Sequence, residues 1–95
     1  MTPELRFEWD NLKAFKNLEK HHVAFEEAQT IFDDPFFITV VDQEHSADEE
    51  RYITIGLSSQ GRVLLVAHTD RGESVRIISA RKATKKEERF YVETE

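Results

Sequence analysis

The sequence predicts a single α+β domain over residues 1–95, with two N-terminal helices and a C-terminal helix packed on a small antiparallel sheet. Three observations lead there. Apolar residues recur at helical spacing between Asp10 and Asp34. Strict alternation begins at Arg51 and is followed by two hairpin connections, and a capping box at Thr84 and Glu87 announces a last helix. A chain of 95 residues has room for one core and not two.

The elements follow in order. Arg6 to Trp9 reads as a short aromatic-rich strand, and Asp10 as the N-cap of a helix running to about Lys20. Leu12, Phe15 and Leu18 share one face of that helix, which predicts that they point inward and that Lys13, Lys16 and Glu19 point out. A second helix carries Phe25, Ala28, Ile31 and Phe32 on one face, with Glu26 and Glu27 in its first turn, where the helix dipole favours anions. Asp34-Pro35 ends it, because the residue before proline is driven out of the helical region. Phe36 to Val41 is a β-branched and aromatic strand, and Asp42 to Glu50 a polar, acidic loop. In Arg51 to Leu57, Ile53, Ile55 and Leu57 take one face and Tyr52, Thr54 and Gly56 the other. Arg62 to Thr69 is apolar on both faces, as suits a central strand. Ser74 to Ala80 follows a turn at Asp70 to Glu73, with Val75 and Ile77 facing one way and Arg76 and Ile78 the other. The helix after Thr84 should carry Phe90 and Tyr91.

Composition narrows the function classes. With no cysteine, disulfides and thiolate metal sites are excluded, and the cytoplasm is the expected compartment. The longest apolar run, Val63 to Ala67, is far short of the roughly 20 residues that span a bilayer, so neither a membrane partner nor a leader is expected. Net charge is −6, which counts against nucleic acid, yet Arg62 to Arg89 holds eight basic and four acidic residues, a local +4 against −10 elsewhere. Such a split fits a basic working face on an acidic body.

Four segments carry more than periodicity: FEWD at Phe7 to Asp10, KHHVAFEEAQTIFDDP at Lys20 to Pro35, ERYITIG at Glu50 to Gly56, and HTDRG with VRIISARKATKKEERFY between His68 and Tyr91. In this order they resemble the BrnT toxin family. The resemblance implies a RelE-like fold and a ribonuclease that needs no cofactor. It also implies neutralisation by a cognate, BrnA-like antitoxin, with DNA contacted only through that partner. Two positions depart from the pattern. His22 stands where the family usually has glycine, and Ala24 where it commonly has a capping serine.

Cutting RNA without a metal uses the neighbouring 2′-hydroxyl as nucleophile. One group must take its proton, donors must stabilise the charge on the pentacoordinate phosphate, and an acid must protonate the leaving 5′-oxygen. Arg76 and Arg81, in the most family-like stretch, are the expected charge stabilisers, because a guanidinium binds two phosphate oxygens and stays charged. Without the resemblance, Arg76 reads as readily as a rim arginine paired to a sheet carboxylate. His21 and His68 are the candidates for proton transfer, although His21 also suits a helix C-terminus. Lys20, Arg51, Lys82 and Tyr91 complete the expected RNA-binding set, Tyr91 by stacking on a base unless it packs in the core with Phe90. No metal site is expected: the acidic loop around His45 lacks calcium-loop spacing and reads as solvated. The alternative to an enzyme is an interaction module that binds an antitoxin with little catalysis of its own.

Overall fold

Alternation from Arg51 onward builds the middle of a five-stranded sheet with strand order β1-β5-β4-β3-β2. A computed structural model describes residues 5–95; the first four, part of the N-terminal stretch scanned for a leader, lie outside the described residues. The strands are β1 (Arg6–Glu8), β2 (Ile38–Val41), β3 (Arg51–Leu57), β4 (Val63–Arg71) and β5 (Ser74–Lys82). The helices are α1 (Asn11–His21), α2 (Phe25–Ala28) and α3 (Lys85–Glu93), with 3-10 turns at Gln29–Asp33 and Gln43–His45. None of these helices is long and apolar enough to cross a membrane.

The sheet is mixed, which corrects the antiparallel expectation. β2 to β5 run antiparallel, but β1 lies parallel to β5, pairing Glu8 with Arg76. Hairpin rules govern neighbours in sequence, and β1 is separated from β5 by about two thirds of the chain. Its direction follows from α1, which leaves β1 through the Asp10 cap and packs back on β5.

The capping signals are realised. Asp10 accepts from the amides of Leu12 at 2.8 Å and Lys13 at 3.1 Å, and Thr84 and Glu87 close the box that starts α3. The face of α1 is not as expected. Leu12, Phe15 and Leu18 are exposed, and the helix turns Ala14 and Asn17 inward. Asn17 explains the rotation. β1 pairs only with Ser74 to Arg76, so β5 beyond that point has an open edge. Asn17 closes it: its Oδ1 accepts from the Ala80 amide at 3.0 Å, and its Nδ2 donates to the carbonyls of Ala80 at 2.9 Å and Val23 at 2.8 Å. Buried backbone groups must be paired, and a side-chain amide mimics the missing strand.

The second helix is shorter than its apolar spacing predicts: it is α-helical only over Phe25–Ala28 and tightens into a 3-10 turn to Asp33. Its buried side chains nonetheless match. Val23, Phe25, Ala28 and Ile31 form the main core with Leu64, Val66, Ile77 and Ala80. Gly56 allows this close packing, since a Cβ there would lie 3.1 Å from the Ile31 Cβ. Both family departures are visible. His22 holds the left-handed conformation at φ 59°, and Ala24 caps α2 without a side-chain bond. Glu27 lies in the first turn of α2, as expected, and is buried there, bound by Ser58 and by the Arg62 guanidinium.

Candidate functional site

One face of the sheet is closed by α2 and its 3-10 extension; the other is covered only at one end, where α3 lays Tyr91 against Ile55 and Ala83. Side chains alternate along a strand, so register assigns each residue to a face. Arg51, Ile53 and Ile55 share the open face with Thr69, Ala67 and Leu65 of β4. On β5 the alternation breaks. His68 pairs with Ile77 and Ala67 with Ser79, which leaves Ile78 unpaired as a bulge. Five residues apart, Arg76 and Arg81 would point to opposite faces of a regular strand. The bulge places both on the open face, with Ser79 between them.

Where that face is uncovered lies a cleft of about 340 Å³. Its floor is Ile53, Leu65 and Ala67; its polar groups are His21 from the end of α1, Asp42 and His45 from the β2–β3 connection, Arg51 from β3, and Ser79 and Arg81 from β5. A shallower hollow of about 300 Å³ adjoins it through His21 and Ser79, bordered by Lys13, Lys16 and Lys20. The lysines of α1 therefore extend the cationic surface beyond the cleft. On the other side, past Ile53 and Leu65, an apolar groove of about 500 Å³ runs between Val40 and Phe90.

The three arginines expected at the site, Arg51, Arg76 and Arg81, differ in what they hold. Arg81 grips Glu87 bidentately at 2.8 and 2.9 Å, and this hydrogen bonding holds the Glu87 carboxyl down to about 2. Arg76 is bonded to Glu8 at 3.0 Å and does not line the cleft. Arg51 has no ion-pair partner among the described residues, and its Nε is buried without a hydrogen bond. Neighbouring Thr69 also has a buried, unbonded hydroxyl. A guanidinium beside unsatisfied donors in a cleft is suited to an anion with several oxygens.

The structure thus brings His21, Arg51 and Arg81 into one cleft, sets Lys20 in the adjoining hollow, and leaves Lys82 exposed at the end of β5. It puts two other expected site residues elsewhere. His68 is buried on the closed face, its Nε2 2.7 Å from the Thr54 hydroxyl and its ring stacked on Tyr52 and edge-on to Phe32. Burial lowers its pKa, against a smaller opposing pull from Asp70, so the ring is a neutral core group. Tyr91 is buried too and donates its hydroxyl to Asp34, so it packs in the core rather than stacking on a base.

Asp42 and His45 belong to the cleft although the loop around them reads as solvated. This segment is built, not loose. The Asp42 amide donates to the Arg51 carbonyl at 2.7 Å, the Ser46 hydroxyl donates to the Asp42 carbonyl at 2.6 Å, and the Arg51 amide donates to the same hydroxyl at 2.9 Å. The available signal was Asp42 followed three residues later by His45 and then by Ser46, a spacing that closes a tight turn.

A family model described as "Ribonuclease toxin, BrnT, of type II toxin-antitoxin system" matches residues 9–87. The crystal structure of the Brucella abortus ribonuclease toxin BrnT aligns with a TM-score of 0.63 at 22% sequence identity, covering 86% of this chain and 100% of that one. At that identity the likeness is one of fold. No curated protein matches the chain. The family match runs from Trp9, just after β1, to the start of α3 and takes in every group that lines the cleft, and by it the chain belongs to the BrnT family of ribonuclease toxins of type II toxin–antitoxin systems.

Proposed function

We propose that the chain cleaves RNA through the 2′-hydroxyl, without a metal, in the cleft between His21, Arg51 and Arg81, and that a cognate BrnA-like antitoxin arrests growth inhibition by covering it. The observation that carries this reading is the convergence of cationic and proton-carrying side chains from four distant segments on the uncovered half of one sheet face. Arg51 is the principal phosphate anchor, because it alone of the three arginines has no carboxylate to displace. Arg81 adds charge at the opposite wall, its guanidinium fixed in place by Glu87. Arg76 serves the β1–β5 contact through Glu8. The lysines of α1 hold the flanking phosphates, and their contribution should weaken as salt rises.

The test is cleavage of RNA by the purified, antitoxin-free chain in EDTA. Arg51→Ala should lose about 100- to 1,000-fold in rate, the usual loss on removing one donor to a developing anion. Arg76→Ala should stay within about threefold of the parent. Equal losses in both variants would sink the assignment of the cleft.

A second reading is favoured by one observation: of the three arginines expected at the site, Arg76 and Arg81 are already neutralised by Glu8 and Glu87. On that reading the chain binds an antitoxin and cleaves weakly. Expression without an antitoxin separates the two, since an active toxin arrests growth and the Arg51→Ala chain does not.

A further inference from the structure

We infer that His45, oriented by Asp42, is the general base of the cleft and that His21 is its acid partner; the inference rests on the ribonuclease reading above. The His45 Nδ1 lies 2.9 Å from the Asp42 carboxylate. A carboxylate only accepts, so Nδ1 must carry the hydrogen, and in the neutral ring the lone pair is left on Nε2. Asp42 is itself held: its side chain is 13% exposed against 56% for His45, and its backbone is stapled to the first residue of β3. The pair therefore lines the cleft with Arg51, its orienting half partly buried and its working half exposed. A carboxylate behind an imidazole fixes the tautomer and stabilises the imidazolium formed when the ring takes a proton.

The charged and titratable groups that share the cleft with His45 are Asp42 from its own turn, Arg51 from β3, Arg81 from β5 and His21 from α1. The step balances with these groups alone. His45 Nε2 takes the proton of the 2′-hydroxyl, the 2′-oxygen bonds to phosphorus, the bond from phosphorus to the 5′-oxygen breaks, and protonated His21 gives its proton to that oxygen. The products are a 2′,3′-cyclic phosphate and a free 5′-hydroxyl. Arg51 and Arg81 carry the added charge on the phosphate oxygens in between.

Because a base must start neutral and an acid protonated, the rate should rise through an acidic limb set by His45 and fall through an alkaline limb set by His21. His45→Ala should lower kcat/KM by about 100-fold or more and abolish the acidic limb. His21→Ala should abolish the alkaline limb. Nitrogen chemical shifts of the two rings give a readout independent of turnover: neutral His45 should carry its hydrogen on Nδ1, and Asp42→Asn should shift it toward Nε2. His45 is mostly exposed, so its truncation should leave thermal unfolding unchanged. A cleaving parent whose His45→Ala variant keeps both limbs, or whose His45 is the Nε2–H tautomer, overturns the role of His45 and leaves the ribonuclease reading intact. A folded parent that cleaves no RNA at any pH overturns both.

Discussion

The two faces of the sheet are made from alternate residues of the same strands, yet they are built to opposite standards. On the closed face, Thr54, Leu64, Val66 and Ile77 lie at 0 to 1% exposure under Phe25 and Ile31. The polar groups buried at its margin are saturated: Asn17 makes three hydrogen bonds, and Glu27 is bound by Ser58 and Arg62. On the open face, Val40 and Phe90 are each 49% exposed, and Arg51 Nε and Thr69 Oγ1 are buried without partners. Among the described residues the closed face has one such atom, His68 Nδ1, and it lies 3.4 Å from the Asp70 carboxylate. The difference teaches that stability and candidate chemistry are drawn from separate residues. Substitutions on one side should therefore be read in unfolding and on the other in cleavage.

Four measurements can break or sharpen that separation. The largest effect is expected at Arg62. Arg62→Ala leaves the Glu27 carboxylate, 3% exposed, without its cation, and should cost about 3–5 kcal/mol in urea unfolding. Arg51→Ala, by contrast, removes no ion pair and should change stability by less than about 1 kcal/mol. If the two variants unfold alike, the division between faces is wrong. Next is Asn17→Ala, which strips partners from the Ala80 amide and from the carbonyls of Ala80 and Val23. At about 1 kcal/mol each it should cost about 2–4 kcal/mol. A loss below about 1 kcal/mol would mean that this edge is not held by the side chain.

A smaller effect is expected from acid. Arg62 lowers the Glu27 carboxyl. Burial would raise Asp34, but bonds from Tyr91 and the amides of Leu57 and Phe36 outweigh it, and Glu87 is held at about 2 against an ordinary 4.5. The folded chain therefore binds fewer protons than the unfolded chain in this range, so stability is full above about pH 4.5 and falls as pH drops toward about 2. Urea midpoints recorded between pH 6 and 2 should trace that decline, and Arg81→Gln should make it shallower; an equally steep curve would remove Glu87 from the account. The smallest effect is a gain. His22 sits at φ 59°, where a side chain is strained, so His22→Gly should stabilise by about 0.5–1 kcal/mol, visible as a raised thermal midpoint. A lowered midpoint would show that its side chain contributes contacts worth more than that strain.

Much of the site's supporting frame was legible. Thr84 and Glu87 announced α3, Asp10 announced α1, and alternation from Arg51 to Leu57 assigned Ile53 and Ile55 to one face. Of the expected site residues, His21, Arg51 and Arg81 meet in the cleft, while His68 and Tyr91 became core. Nothing in their residue types separates these outcomes. A histidine on a strand serves either purpose until the aromatic rings of Phe32 and Tyr52 close around it.

The sequence by itself determined the caps, the strand alternation, the order of elements and the family, because each is written in residues close together or in a run of motifs. Tertiary structure alone decided the parallel docking of β1, the turn of α1 about Asn17, the seating of Asp42 and His45 beside Arg51, and the bulge at Ile78 that brings Arg76 and Arg81 to one face. The first two satisfy backbone groups of β5 with partners more than sixty residues away, which no local pattern can announce, and the free energy of leaving such groups buried and unpaired outweighs local preference. The last two depend on the register between strands, which local preference does not set.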